Sequence, residues 1–510
     1  MSGLATIPRV DVAFDGEPIA DEAARLLAEV RVHQQLGAPT MCELVFVGPG
    51  AGEVESDLPA PGRELYVEVA GSEATLFDGD VTAVEYVYGP SQGREIHIRG
   101  YDPFHRLRKT QELRAHVQTN AAELAEELAG QAGLDVDAAH DGPRFRHLIQ
   151  HGQSDFELLV QVAERCGLHA TVRDDTLHLI TLEGIGEEIP LVLGDSLHEA
   201  RIELNGELAC RSVSVSGWDP QLVEMHEMSA SSPRSGRDVV AKVAPDSVGG
   251  TGEVVFADEP AEDEEHAEGL AQAELDVRAA REVSLWGVAE GDPRLRPGTP
   301  IQVTGVDDEL AGRYVLTSAT HVLDERQGYL TEFSTLPPRL PRRPRGTIAA
   351  LGEVTSVDDP DGSGRVRVLL PAYGLVETDW MSVVAAGAGA AKGLVMLPDV
   401  GDQVLLLFTH EDPSWGVVVG GLYGSGVVPD TGVENGAVRR YSLFTAGGHR
   451  LTLDDEQQSI RLEATSESYL ELSPDLVVVH ATQPLTLEAP GQPILIRGKS
   501  VEFVTAEAQE

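Results

Sequence analysis

The residues able to do chemistry are few in this chain, and their spacing does not suit it. In "HLIQH", His147 and His151 stand four apart, the spacing at which two imidazoles of one helix grip zinc. Position 148 is Leu, however, where a zinc protease carries the glutamate that activates water. A histidine pair near a helix start, with no metal, is the reading that remains. "DPDGSG", Asp359 to Gly364, has the start of a calcium loop but lacks the distal bidentate glutamate, so a hairpin turn accounts for it. No serine elbow leading from a strand into a helix is found; "GPSQG" and "YGSGV" read as turns. No glycine-rich run opens onto a Lys-Ser or Lys-Thr helix start, so no phosphate cradle is expected. The chain reads as a non-enzyme, with no catalytic residue and no cofactor.

Charge narrows the partners. With 84 acidic against 38 basic residues the net charge is −46. Such a surface repels phosphate, and no basic stripe offsets it, which argues against nucleic acid. Hydrophobic residues at 42% and charged residues at 24% describe a folded globular protein rather than a disordered one. At 510 residues it should divide into several domains, on a prior of roughly 100–200 residues each. Cys42, Cys166 and Cys210 are scattered and odd in number, which fits free thiols in a reducing cytoplasm. The first residues lack a basic stretch followed by an apolar one, so synthesis and assembly in the cytoplasm, without a Sec signal, are expected. The most apolar window, Val383 to Pro398, is interrupted by Lys392, glycines and a proline and does not suit a membrane span.

The pattern along the chain is mostly that of strands. "RELYVEVAG" and "REIHIRGYD" alternate apolar and polar residues between turn signals. From Asn120 the period becomes helical: "NAAELAEELAGQAGL" has Asn120 as cap, Leu124 and Leu128 on one face, and a stop at Gly130. "SDFELLVQVAERCGL" repeats the design with Ser154 as cap, Glu157 completing a capping box and Gly167 as terminator. A second β region opens near Glu199. From Pro297 it repeats the scheme that starts at Pro61: Pro-Gly, an alternating strand, a further strand carrying Thr82 or Thr317, and a Gln-Gly turn at Gly93 or Gly328. A period of about 235 residues is too long for a solenoid, so two copies of one β domain are read, with the helical segment between them. Glu262 to Glu282 reads as an acidic helix, and the prolines of "LPPRLPRRPRG" make it a linker. "GEVTSVDDPDGSGRVRVLLP", "LPDVGDQVLLLF" and "EDPSWGVVVGGLYG" supply short strands that suit a small closed barrel of the OB type.

The last eighth raises a difficulty. In "SIRLEATSESYLELSPDLVVVH", Ser459 to His480, apolar residues alternate in bursts of only two or three. A face that narrow buries too little area to offset the entropy of ordering the chain.

Gly364-Arg365-Val366, Pro371, Trp380, "GAGAAKG", "LPDVGDQVLLLF" and "DPSWGVVVGGLYG" resemble the OB domain of baseplate spike proteins, while "GYDPFHRLRKT" and "QSDFELLVQVAERCGL" resemble the hub of the same proteins. Almost the whole chain thus resembles the VgrG-like, phage late-control-D and baseplate-V type hub-and-spike proteins of contractile injection systems. The resemblance implies a mainly β fold with small α insertions: two tube-like β-barrel hub domains, an OB-fold barrel and a C-terminal trimeric β-helix or β-prism needle. The expected borders are 1–110 and 199–336 for the tube-like domains and 111–198 for the α/β insertion. The Pro/Arg linker is expected at 337–346, the OB fold at 347–427 and the spike at 440–510.

In that family three chains form a pseudo-sixfold ring that adapts a hexameric tail tube to a threefold spike. The narrow strands then have a destination, because each chain buries its face against two others about a common axis. Leu451, Leu453, Ile460, Leu462, Leu470, Leu472, Leu476, Val478, Leu485, Leu487, Ile494, Ile496, Val501 and Phe503 form the expected inward set, each worth about 1.5–3 kcal/mol when buried. His480 follows Leu476 and Val478 at the same parity, so three imidazoles are expected to meet on the axis, where they form a hydrogen-bonded cluster or hold a transition metal. The implied role is the structural puncturing tip of a phage tail-like injection particle or tailocin that pierces the target envelope transiently. The implied partners are the homotrimer, the tail tube ring, baseplate wedge proteins, and a PAAR-like tip protein with effectors at the C-terminal end. The alternatives are a type VI secretion VgrG or effector-loading hub and, less well supported, an acidic cytoplasmic enzyme.

Overall fold

The computed structural model describes residues 9–48, 60–72, 74–89, 93–219, 224–338, 346–424 and 426–504. Most of the expected Pro/Arg linker and of the Gly89–Gly93 turn lies outside the described residues. The chain divides into two compact units, Met1–Leu422 and Tyr423–Glu510.

In the first unit, alternation of apolar and polar residues produces β1 (Val10–Phe14), β2 (Glu17–Pro18), β3 (Leu27–Gln35), β4 (Met41–Val47), β5 (Glu64–Val69), β6 (Phe77–Gly89) and β7 (Gly93–Tyr101). After the helical segment come β8 (Leu197–Leu204), β9 (Val283–Glu290), β10 (Pro300–Thr304), β11 (Gly312–Val315), β12 (Ser318–Asp324) and β13 (Gly328–Ser334). Eleven of these thirteen form one sheet in the order β8-β9-β13-β12-β3-β4-β7-β6-β5-β1-β2. Its buried face carries Val30, Val32, Leu44, Phe46, Ile96 and Ile98.

The duplication read from Pro61 and Pro297 is present, and it extends further upstream than the sequence suggested. β5 pairs with the start of β6 through Leu65 opposite Gly79, and β10 pairs with β11 through Ile301 opposite Tyr314. The rest of β6 pairs with β7, Val84 opposite Ile98, as β12 pairs with β13, Ala319 opposite Phe333. Before them, β3 pairs with β4 and β8 with β9, and each of these ladders shifts register at its start, between Leu27 and Glu29 in one copy and between Leu197 and Glu199 in the other. A bulge repeated at the same place in both copies marks a shared design. The two copies join edge to edge where β12 pairs with β3.

The insertion carries α1 (Ala121–Gln131) and α2 (Asp155–Arg165). The Asn120 side chain accepts from the Glu123 amide at 2.9 Å. Ser154 and Glu157 exchange the two bonds of a capping box. α1 runs through Gly130, so the expected stop there is corrected: the left-handed turn comes at Gly133, φ 82°. The expected acidic helix is α3 (Glu264–Glu282), with Asp263 as its cap. Leu124 and Leu128 of α1 share one core with Leu158, Leu159 and Val162 of α2. The histidine pair is not at a helix start. His147 lies within a strand, Phe145–Gln150, and His151 just after it donates through Nδ1 to the Ile149 carbonyl at 3.1 Å.

The last part of this unit is a six-stranded sheet that includes β14 (Ile348–Ser356), β15 (Arg367–Leu370), β16 (Gln403–Phe408) and β17 (Gly416–Leu422). Val354, Val368, Leu370, Val404, Leu406 and Phe408 fill its core, and Val366 exchanges backbone bonds with Met381. In "DPDGSG" the Asp359 carboxylate accepts from the amides of Ser363 and Arg365 and from the Arg365 guanidinium at 2.7 and 3.1 Å. These bonds hold its carboxyl well below the usual range, and an arginine occupies the place a cation would take.

The second unit is a meander of five antiparallel strands: β18 (Arg440–Phe444), β19 (Arg450–Asp454), β20 (Ser459–Glu463), β21 (Tyr469–Leu472) and β22 (Val477–His480). The segment ahead of β18 is tied down by Asp430, which accepts from Arg440 Nε at 2.7 Å and Nη2 at 2.8 Å, the Gly432 amide and Ser442 Oγ. Gly432 has a φ of 66°, and a Cβ there would collide with the Arg440 carbonyl oxygen.

Candidate functional site

Residues directly opposite in an antiparallel ladder lie on the same face of the sheet. In the second unit Tyr441 faces Leu453, Leu443 faces Leu451, and Leu453 and Leu451 face Ile460 and Leu462. Ile460 and Leu462 face Leu472 and Leu470, and these face Val477 and Val479. One face of the meander is therefore apolar from its first strand to its last. In the single chain that face is open, with Ile460 44%, Leu462 55%, Val477 61% and Val479 60% exposed.

The other face is polar and internally paired. Arg461 reaches Glu471 at 3.2 Å and lies over the Tyr469 ring at 4.0 Å, and Tyr469 stacks on His480 with ring centroids 5.0 Å apart. Val478 stands opposite Glu471 on this polar face. The expected places of Val478 and His480 are therefore corrected: neither shares a face with the leucines. Leu476 precedes the strand, at a turn where its carbonyl accepts from the Ser473 amide at 3.0 Å. That turn sets the register, and a slip of one residue carries a whole strand to the opposite face. Leu485, Leu487, Ile494, Ile496, Val501 and Phe503 follow in a stretch without strand pairing in one chain, each more than half exposed.

The signature "GYDPFHRLRKT" serves architecture. Asp102 is buried, accepts from the Thr40 amide at 2.8 Å and the Phe104 amide at 3.2 Å, and caps a short 3-10 helix. Burial pushes its carboxyl up to about 7 against the pull of those bonds. His105 Nδ1 donates to the Asp102 carbonyl at 2.7 Å. Among the described residues no cluster of three His, Cys, Asp or Glu is placed to hold a metal ion. Cys42 and Cys166 are buried and Cys210 is half-buried, all free thiols.

The sequence reading missed β3, β4, β8 and β9 as members of the repeat. A short signal was present, because β3 begins Leu27-x-Glu29-x-Arg31 and β8 begins Leu197-x-Glu199-x-Arg201.

Comparison with known proteins agrees with this geometry. Residues 350–423 match the type VI secretion system/phage-baseplate injector OB domain. A Francisella PdpA-VgrG complex aligns over 92% of this chain and 87% of its own at 7% identity and a TM-score of 0.53. The E. coli c3393 protein is described as a type VI secretion component with structural similarity to the T4 bacteriophage tail proteins gp27 and gp5. It aligns over 78% of this chain and 96% of its own at 13% identity and a TM-score of 0.50. The 43 kDa tail protein of prophage MuSo2 from Shewanella oneidensis covers 64% of this chain and 98% of its own at 15% identity and a TM-score of 0.50. No curated protein matches the chain. These similarities give it the fold of VgrG-like baseplate hub-and-spike proteins, and because residues 5–325, more than half its length, match the Alg8 N-terminal domain, the chain belongs to the Alg8 N-terminal domain family.

Proposed function

We propose that this protein is the homotrimeric hub and spike of a contractile phage-tail-like injection particle. Three chains, assembled in the cytoplasm, adapt a hexameric tail tube to a threefold needle, which pierces the target envelope when the sheath contracts. The observation that carries this reading is the continuous apolar face from Tyr441 to Val479, left open in one chain. Burying it against two symmetry copies gives the narrow sheet the core it lacks alone. The duplicated β domain supports the ring, since two similar domains per chain in a trimer make six similar positions. In this role the partners are the tube ring below, baseplate wedge proteins around the hub, and a tip protein or effector beyond the needle. Deleting the gene in the host that encodes it should abolish intact particles and target killing, with restoration by the gene supplied in trans. Normal, active particles from the deletion strain would overturn the proposal. The matching OB-domain family spans the type VI secretion system as well as the phage baseplate, which supports a second reading, a VgrG of the type VI system.

A further inference from the structure

A cavity of about 270 Å³ opens in the first unit where three segments meet: the end of the strand His169–Arg173, the loop ahead of the strand Ile189–Val192, and the loop of residues 291–299 that enters β10. Parallel pairing of Ile189 with Ile301 of β10 holds the last two segments side by side. Arg173, Arg294, Arg296 and Thr299 line the cavity, with Glu187 and Glu188 beside them. Three arginines around one small space run against the composition, since acids outnumber bases 84 to 38 in this chain.

The arginines differ in how far the protein satisfies them. Arg294 is taken by Asp292, whose carboxylate accepts from its Nε at 3.0 Å and its Nη2 at 2.7 Å. Arg173 donates through Nη2 to the Pro297 carbonyl at 2.6 Å and Thr299 Oγ1 at 3.2 Å, and through Nη1 to the Ile185 carbonyl at 3.4 Å. Gly298 permits that approach, because a Cβ there would stand 3.0 Å from Arg173 Nη2. These acceptors are all neutral, and among the described residues the buried Nε has none. Burial, and then the neighbouring charge of Arg296, push the Arg173 guanidinium down to about 10. Arg296 is less satisfied still. Its side chain is 21% exposed and makes no hydrogen bond among the described residues, and Asp174, 69% exposed, stands 3.8 Å away. Its donors thus lack acceptors in a largely buried place. Of the two glutamates, Glu188 pairs with Arg313 at 3.4 Å, whereas Glu187 is exposed and pairs with no cation among the described residues.

We propose that this cavity binds a phosphate group. Two guanidinium groups with unused donors in one small space suit a compact dianion, and a planar guanidinium meets phosphate oxygens with two parallel bonds. The volume is larger than phosphate alone needs and falls near the small end of ligand pockets, which leaves room for a small organic group esterified to it. The bound group ties the loop at Glu187 to the loop at Arg296 and stabilises the hub by mass action. The site is complete in one chain, so it stands apart from the trimer proposed above.

The test is calorimetric titration of the full chain, in phosphate-free buffer of low salt, with inorganic phosphate and with glycerol 3-phosphate, alongside thermal melts. One site per chain and a rise in Tm are expected. Arg296→Gln should weaken binding by about tenfold or more, the loss of a charged hydrogen-bond donor. Glu187→Gln should strengthen it several-fold, because a like charge leaves the cavity. Arg173 stays in place, since its bonds to Ile185 and Pro297 hold the loops, whereas Arg296 makes none and its variant should melt like the wild type without phosphate. Failure of both probes to bind at millimolar concentration would overturn the proposal, as would binding that Arg296→Gln leaves unchanged. Malonate, a dianion of carboxylates, bound as tightly as phosphate would overturn the choice of phosphate. Tighter binding of glycerol 3-phosphate than of inorganic phosphate supports the site with an ester as its occupant, and the reverse order supports it with the free ion.

Discussion

Thr82 and Thr317 occupy the same place in the two copies of the β domain and make the same contact. Each Oγ1 donates to the carbonyl of the residue 17 positions later, Arg99 at 3.3 Å and Ser334 at 3.0 Å. Thr317 shares its hydroxyl with the Leu336 carbonyl at 2.7 Å. Both sit where the strand passes from one neighbour to the next: β6 shifts register between Val81 and Ala83, and β11 and β12 are separated at Leu316-Thr317. Thr317→Val should destabilise the hub by about 1 kcal/mol, the net worth of one hydrogen bond, and Thr82→Val by less because its side chain is more exposed. Urea unfolding measures both. Equal, negligible effects would show that the hydroxyls do not hold this crossing.

The register of the last strand has a sharp test in two adjacent valines. Val477→Lys places a charge on the apolar face, at a cost of several kcal/mol if three copies bury it together. Val478→Lys places the same charge opposite Glu471 and should be tolerated. Thermal melts with the two effects reversed would return Val478 to the apolar face.

On the same reasoning His480→Leu should cost only the stacking contact with Tyr469, about 1 kcal/mol in a thermal melt, because the ring stands away from the leucines. A mutant markedly more stable than the wild type would place residue 480 in the apolar centre.

Much of this was visible in the sequence, and the failures have a physical cause. Asn120 and Ser154 announced their helices because a cap is a local interaction. Leu451, Leu453, Ile460, Leu462, Leu470 and Leu472 showed their common face because polar residues separate them. "LVVVH" is apolar at four consecutive positions, so alternation is silent there and the Ser473–Leu476 turn decides. The pairing of β3 with β12 joins residues nearly three hundred positions apart, and no local pattern reports such a contact.

Glu164 offers a pH-dependent prediction. Burial pushes its carboxyl up to about 7. The folded state therefore binds a proton that the unfolded state releases above about pH 4.3, so this group costs stability progressively as pH rises from about 4 to 7. Glu164→Gln should match the wild type near pH 4 and exceed it by a few degrees in Tm at pH 7.5. Identical profiles would mean that the carboxyl is solvated.

The segment leading into the meander depends on Gly432. Gly432→Ala forces a left-handed residue against the Arg440 carbonyl and should break the hold of Asp430 on Arg440. Proteolysis should then remove the C-terminal unit while the first unit survives. Wild-type resistance would show that the segment bears no strain.

The mass of the purified full chain in solution tests the trimer most directly. Light scattering at micromolar concentration should give three times 54.5 kDa, and Leu470→Asp with Leu472→Asp should lower it by setting six carboxylates in the apolar centre of the needle. A well-folded monomer of 54.5 kDa, or a double mutant that remains trimeric with unchanged thermal stability, would contradict the account.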